Sequence, residues 1–139
     1  MRQFIGTKIV EAEPAIRQTV KEPCGEPGYR VRYPDGYESW SPKEVFEAAY
    51  RPTDGGMDFG MALHALRRGQ CIARTGWNGK GMWLALIEPG NAHFSKGGAR
   101  LPMRPCIGMR TATCDMQPGW LASQADMLAD DWHVVSNPT

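Results

Sequence analysis

The spacing of apolar positions changes several times along the chain, and each change marks a predicted element. Phe4 to Ile16 reads as an extended, β-prone segment broken at Pro14. A loop rich in proline and glycine follows, through Pro23, Gly25, Pro27 and Gly28. Tyr29, Val31 and Tyr33 then alternate with Arg30 and Arg32, the period-two pattern of a strand with one wet face. Tyr33-Pro34-Asp35-Gly36 puts proline at the second turn position and glycine where φ must be positive. A hairpin turn is predicted there, with Tyr37 to Trp40 as the return strand. In Ser41-Pro42-Lys43-Glu44, Ser41 is read as a helix cap, Pro42 as the first position and Glu44 as the closure of a capping box. Val45, Phe46, Ala49 and Tyr50 supply that helix with one apolar stripe.

Arg51-Pro52-Thr53-Asp54-Gly55-Gly56 is turn and linker chemistry, and it divides the chain. Beyond it Asp58 is read as an N-cap, with Phe59, Ala62, Leu63 and Leu66 on one helical face and Gly69 as the stop. Gln70 to Arg74, Met82 to Ile87 and Cys106 to Thr111 read as strands, with an irregular stretch from Glu88 to Pro105. Ala112 to Gly119 reads as a connecting turn. Ser123 is read as the cap of a last helix, with Asp126 in the capping-box position and Leu121, Ala125, Leu128 and Trp132 on one face. Trp132 to Val135 closes as a strand. The resulting expectation is an α+β fold: a small antiparallel β-sheet with short helices over 57–135, preceded by a small β-hairpin plus helix unit over 1–53.

Composition narrows the function classes. The chain has 139 residues, 42% of them hydrophobic, with a net charge of +1 and a pI near 7.7. Such a balance gives no electrostatic reason to expect DNA, RNA or a membrane surface as partner. No apolar run approaches the roughly 20 residues that span a bilayer. Met1 to Lys8 has no apolar signal core, so secretion is not expected. Cys24, Cys71, Cys106 and Cys114 lack CxxC spacing, and His64, His93 and His133 stand apart from them. Reduced thiols, no metal and no cofactor are the expectation.

Catalytic signatures are weak. There is no G-x-S-x-G elbow, no cysteine lies in a recognisable local signature with a histidine, and Asp130-Asp131 reads as the solvated end of a helix. Gly76-Trp77-Asn78-Gly79-Lys80-Gly81 is neither a Walker loop nor a dinucleotide fingerprint. Its spacing leaves two readings open. One is a tight turn at Asn78-Gly79 with Lys80 in solvent; the other is a glycine-rich cradle in which Lys80 meets a phosphate. Trp77 sits in a polar turn with little local core to enter, and Trp120 follows Pro118-Gly119 just before a helix cap. Rings so placed suit base stacking, whereas Trp83 and Trp132 lie in apolar segments and read as core. Phe94, in the irregular stretch, reads as a lid, a subunit contact or a loop anchor.

Four segments share order and spacing with one known family. They are Met57 to Leu63, Ala73-Arg74-Thr75-Gly76-Trp77-Asn78-Gly79-Lys80-Gly81-Met82-Trp83, Met109 to Ala112, and Trp120-Leu121-Ala122-Ser123-Gln124 through Trp132. Over its last 80 or so residues the chain resembles the phage-encoded Thoeris anti-defence 2 family. The resemblance implies a non-enzymatic protein in the cytoplasm of the infected host, which sequesters a cyclic ADP-ribose-type signal and, in some members, cyclic dinucleotides. It also implies a homotetramer, a dimer of dimers, with ligand sites at subunit interfaces. By the same resemblance Trp77 and Trp120 sandwich or flank the base. Phe59, Asn78, Ser123, Gln124 and Asp126 shape the pocket, and Arg74 or Arg110 meets phosphates.

Two departures bear on aim. The family usually places proline directly before the second tryptophan, whereas here Gly119 intervenes after Pro118, and the turn after Met109 is altered to Thr113-Cys114-Asp115. A reading from a different class stays open beside the first: a phage structural or assembly protein whose tryptophan motifs pack subunits.

Overall fold

The computed structural model describes residues 1–78, 81–89, 93–94, 97–98 and 100–139, the side chains of residues 93, 94 and 100 excepted. The expectations placed on Gly79, Lys80 and the Phe94 ring lie outside the described residues. The chain divides into two compact units, Met1–Arg51 and Pro52–Thr139.

The first unit is a three-stranded antiparallel sheet, β1 (Glu11–Arg17), β2 (Glu26–Arg32) and β3 (Glu38–Pro42), in that order, followed by helix α1 (Lys43–Ala49). The turn between β2 and β3 closes as its residues demand. The Gly36 N–H donates to the Tyr33 carbonyl at 2.9 Å, and Gly36 has φ +88°. Alternation along β2 buries Val31, while Tyr29 stacks on Phe46 of α1 at 4.3 Å between ring centroids. Two expectations are corrected. The first strand begins at Glu11 rather than Phe4, and the preceding residues are exposed or nearly so. Ser41 does not cap α1: it pairs with Tyr29 in the β2–β3 ladder, so Pro42 is the N-cap and no side chain caps the helix.

The second unit contains α2 (Phe59–Arg67), β4 (Ile72–Arg74), β5 (Trp83–Ile87), β6 (His93–Phe94), β7 (Arg100–Leu101), β8 (Cys106–Arg110), β9 (Met116–Pro118), α3 (Gln124–Met127) and β10 (Trp132–Val134). Five of these strands form one antiparallel sheet in the order β10-β4-β5-β8-β9. With the three-stranded sheet and the short helices, this is the α+β architecture expected. Asp58 caps α2 by accepting from the Met61 N–H at 2.8 Å, and Gly69 leaves the helix at φ +89°. Ala62, Ala65 and Leu66 of α2 pack with Ile72, Leu84 and Trp132 of the sheet.

Register assigns the sheet two different faces. Ile72, Leu84 and Trp132, with Leu86, Ile107, Met109 and Val134, lie on the face that α2 covers. Ala73, Trp83, Ala85, Ile87, Cys106 and Met116 alternate onto the other face. Two further expectations are corrected here. Ala112–Gly119 is not only a turn, because Thr111 and Asp115 close a tight loop with Cys114 at φ +69° and β9 then pairs back onto β8. The last helix is also shorter than its apolar spacing suggests. Residues 124–127 alone form α3, and Leu121 and Leu128 are 89% and 83% exposed rather than buried.

Candidate aromatic binding site

Four aromatic rings gather at one end of the α2-covered face. Trp132, fully buried, is the hub, with Phe59 at 5.3 Å, Trp77 at 5.4 Å and Trp120 at 6.3 Å between centroids. Trp77 and Trp120 are 6.2 Å apart at an interplanar angle of 61°, and Phe59 meets Trp120 at 6.4 Å and 62°. Edge-to-face contact is the favoured geometry for such rings. It also bears on how the two rings are used. Non-parallel rings do not sandwich a base within one chain, so flanking is the arrangement this geometry permits.

Trp77 is aimed by charge. Arg74, at the end of β4, donates from Nε to Asp131 Oδ1 at 2.8 Å and from Nη1 to Asp126 Oδ1 at 2.9 Å. The Trp77 indole N–H donates to the same Asp126 oxygen at 3.0 Å. Asp131 also accepts from the Gly76 N–H at 2.8 Å, and its own carbonyl accepts from the Thr75 N–H at 3.2 Å. A Cβ at position 76 would stand 2.9 Å from the Asp131 carboxylate oxygen, so a larger residue there would make that carboxylate shift. The network is partly shielded from water, the Arg74, Asp126 and Asp131 side chains being 18%, 13% and 31% exposed.

Protonation follows from these partners. The hydrogen bonds to Asp131 and then Asp126 raise the Arg74 pKa above its ordinary value. Burial pushes the Asp126 carboxyl up, but hydrogen bonds from Trp77, Arg74 and Ser123 outweigh it and leave the pKa below the usual carboxylate value. Asp131 is held down mainly by the Arg74 hydrogen bond. Asp126 also fastens the start of α3. Ser123 Oγ accepts from the Asp126 N–H at 3.1 Å, and Asp126 Oδ2 accepts from the Ser123 N–H at 3.3 Å. That is the capping box expected from the sequence.

Trp120 is aimed by backbone. Pro118 pairs with Gly108, so strict alternation would put residue 119 opposite Ile107 and residue 120 on the face turned away from α2. Instead the N–H groups of Gly119 and Trp120 both donate to the Ile107 carbonyl, at 2.9 and 2.8 Å. Two residues opposing one is a β-bulge, and Gly119, at φ +84°, supplies the left-handed residue it requires. The bulge shifts the alternation by one, and Trp120 reaches the face of Trp132. The departure at Gly119 therefore keeps the ring on the core side.

The structure brings together Phe59, Trp77 and Trp120, with Asp126, Ser123 and Arg74 tied to them. Asn78 and Gln124 are exposed beside these elements. Arg110 does not join them. It pairs with Trp83 in the β5–β8 ladder and so lies on the opposite face from Met109, which packs with the core. Its guanidinium donates to the Gly81 carbonyl at 2.8 Å, the Thr111 carbonyl at 3.3 Å and the Cys114 sulfur at 3.1 Å. Asp131 joins the cluster without a signal in the sequence, because 57 positions separate it from Arg74 and nothing local marks the pairing. Among the described residues no group of three or more His, Cys, Asp or Glu side chains is placed to hold a metal.

Residues 57–135, the part that carries this cluster, match the Thoeris anti-defense 2-like domain. The chain belongs to that family. It is 37% identical over 86 residues to the Thoeris anti-defense 2 protein of Bacillus phage SP01, an alignment spanning 58% of this chain and 96% of that protein. In this member of the Thoeris anti-defense 2-like family, the matched region begins at Met57, which bridges to Trp132, and ends just past β10. Its bounds thus enclose the sheet and the aromatic cluster, and leave the first unit outside.

Proposed function

We propose that the chain binds and sequesters a cyclic nucleotide immune signal of the cyclic ADP-ribose type, and cyclic dinucleotides as further ligands, without cleaving it. Bacterial anti-phage defence would be blocked in the cytoplasm of the infected cell by stoichiometric removal of the signal. The observation that carries this reading is the pairing of Trp77 and Trp120, half-buried rings held at a fixed angle within a family whose relative is named for anti-defense. Stacking of a base on one such ring is worth about 1–3 kcal/mol. Holding rather than cleaving fits the polar groups at hand: Asp126, Ser123 and Arg74 are spent on one another and on Trp77, which leaves no paired base and nucleophile among them.

Arg74 then shapes the site from behind, and Arg110 meets phosphate only as a residue contributed by a neighbouring copy. A homo-oligomer, a dimer of dimers, fits the uncovered sheet face, where Trp83, Ile87, Cys106 and Met116 have no helix of this unit over them among the described residues. Calorimetry with glycocyclic ADP-ribose isomers tests the reading. Binding by the wild type, weakened roughly 5- to 150-fold in Trp77→Ala, supports it; no heat with any isomer overturns it. Recovery of intact ligand after heat denaturation of the complex separates holding from hydrolysis.

The exposed Leu121 and Leu128 favour a second reading, a phage structural or assembly protein in which this region packs subunits. Under it Trp77→Ala dissociates the oligomer, and native mass spectrometry shows no bound nucleotide.

A further inference from the structure

The proposed ligand role leaves open why one carboxylate should serve three elements at once. Asp126 Oδ1 receives both the Trp77 indole N–H and Arg74 Nη1, while Oδ2 receives the Ser123 backbone N–H at 3.3 Å and the Ser123 hydroxyl at 2.8 Å. Its backbone carbonyl, in turn, accepts from the Trp132 indole N–H at 3.0 Å. A single residue of α3 therefore fixes two of the three clustered indoles. Arg74 is its counter-charge. With Nε and Nη1 donated to carboxylates and Nη2 3.5 Å from Asp131 Oδ2, that guanidinium is turned inward. Among the described residues, two carboxylates around one guanidinium leave this cluster one unit negative, an environment that repels a phosphate.

We infer that Asp126 is a positioning residue: it sets the plane of the Trp77 ring against Trp132 and Trp120 before any ligand arrives, with Arg74 and Asp131 holding Asp126 in place. Its effect on affinity rests on the proposed ligand reading, but its effect on the rings does not. A side chain already ordered in the free protein is one whose ordering costs no affinity on binding. The charge balance adds a direction. The base end of a nucleotide meets the Trp77 corner, and its phosphates lie away from Arg74.

The test uses the full chain and two readouts. Edge-to-face indoles this close couple electronically, so an exciton couplet is expected in the circular dichroism of the ligand-free protein, and Trp77→Phe identifies the share that depends on Trp77. Asp126→Ala, measured well below its melting temperature, is expected to lose that share and to bind cyclic ADP-ribose roughly 2- to 12-fold more weakly, the equivalent of ordering one side chain. Asp126→Asn keeps an oxygen acceptor for the indole and is expected to restore both, although it melts earlier. A purely stabilising role predicts otherwise: melting falls in both variants while the couplet stays wild type in both, and that result overturns the inference. Should Asp126→Ala fail to fold, Arg74→Lys decides, because it keeps the charge but loses the two-pronged contact. A reduced Trp77 couplet supports the inference and an unchanged one overturns it. If the wild type binds no cyclic ADP-ribose, the proposed function falls while the couplet still decides the role of Asp126.

Discussion

Trp77 and Trp120 end 6.2 Å apart on one buried hub, yet different physics holds each in place. Trp77 is set by side chains: an indole hydrogen bond to Asp126 and, behind it, an ion-pair network reaching Arg74 and Asp131. Trp120 is set by main chain, through a bulge whose two N–H groups share the Ile107 carbonyl. The first device depends on charge and responds to pH. The second depends on one glycine's φ and does not. A platform built from both has two independent ways to fail, and each can be broken without touching the other.

The largest effect is expected from Arg74→Met. It leaves Asp126 and Asp131 as partly buried carboxylates without their counter-charge; water reaches the site, so the cost falls below that of a fully buried pair, at about 1–3 kcal/mol. Denaturant unfolding of the full chain should record that loss, and circular dichroism should show Trp77 released while Trp120 keeps its place. A variant as stable as the wild type would mean that the network carries little of the fold's stability.

Lowering pH attacks the same side of the comparison reversibly. Asp126 and Asp131 have folded-state pKa values below the ordinary one, so the folded state binds their protons less readily than the unfolded chain does. Their contribution is therefore complete above the ordinary carboxylate value of about 3.9 and is lost as pH falls through the depressed values. Arg74 stays protonated throughout. Thermal melting followed down in pH should fall in that window, the Trp77 signal first. A transition centred above the ordinary carboxylate value would contradict the assignment.

The bulge is tested by Gly119→Val, which forces a β-branched residue to φ +84° and should cost roughly 1–2 kcal/mol. Deletion of Gly119 should be milder, because removing the extra residue restores simple alternation with Trp120 opposite Ile107, still on the covered face. If the deletion instead turns Trp120 to the other face, seen as loss of its coupling to Trp132, the account of the bulge is wrong.

These devices differ in how much of them the sequence displays. The capping box at Ser123 and Asp126, the Asp58 cap, the turn at Gly36 and the core role of Trp132 are local or periodic signals, and each can be read from a few neighbouring residues. The anchor of Trp77 spans 49 positions to Asp126, and the pairing of Arg74 with Asp131 spans 57. Neither has a sequence signature, so Asp131 reads as a solvated helix end until the sheet brings β4 beside β10. The apolar spacing through Leu121 and Leu128 misleads for a related reason. The period is genuine, but α3 ends at Met127, and both leucines are left on the surface. Ser41 shows the same competition: a capping residue by its neighbours, it is claimed by the β2–β3 ladder.

The smallest effect is expected where the chemistry of the Arg74 network recurs in water. In the first unit Arg30 pairs with Glu13 across β1 and β2, with side chains 54% and 61% exposed. Donor and acceptor types match those of Arg74 and Asp126; the surroundings do not. Exposed pairs of this kind gain little, because water screens the attraction and two long side chains lose freedom. Glu13→Gln should therefore shift stability by no more than about 0.5 kcal/mol, and the shift should shrink further as salt is raised. Parallel denaturation of Glu13→Gln and Arg74→Met at low and high salt makes the comparison direct. Equal losses would show that burial is not what gives the Trp77 anchor its strength, and the Arg74 network would then have to owe its weight to the hydrogen bonds that Asp126 makes with Ser123 and Trp77.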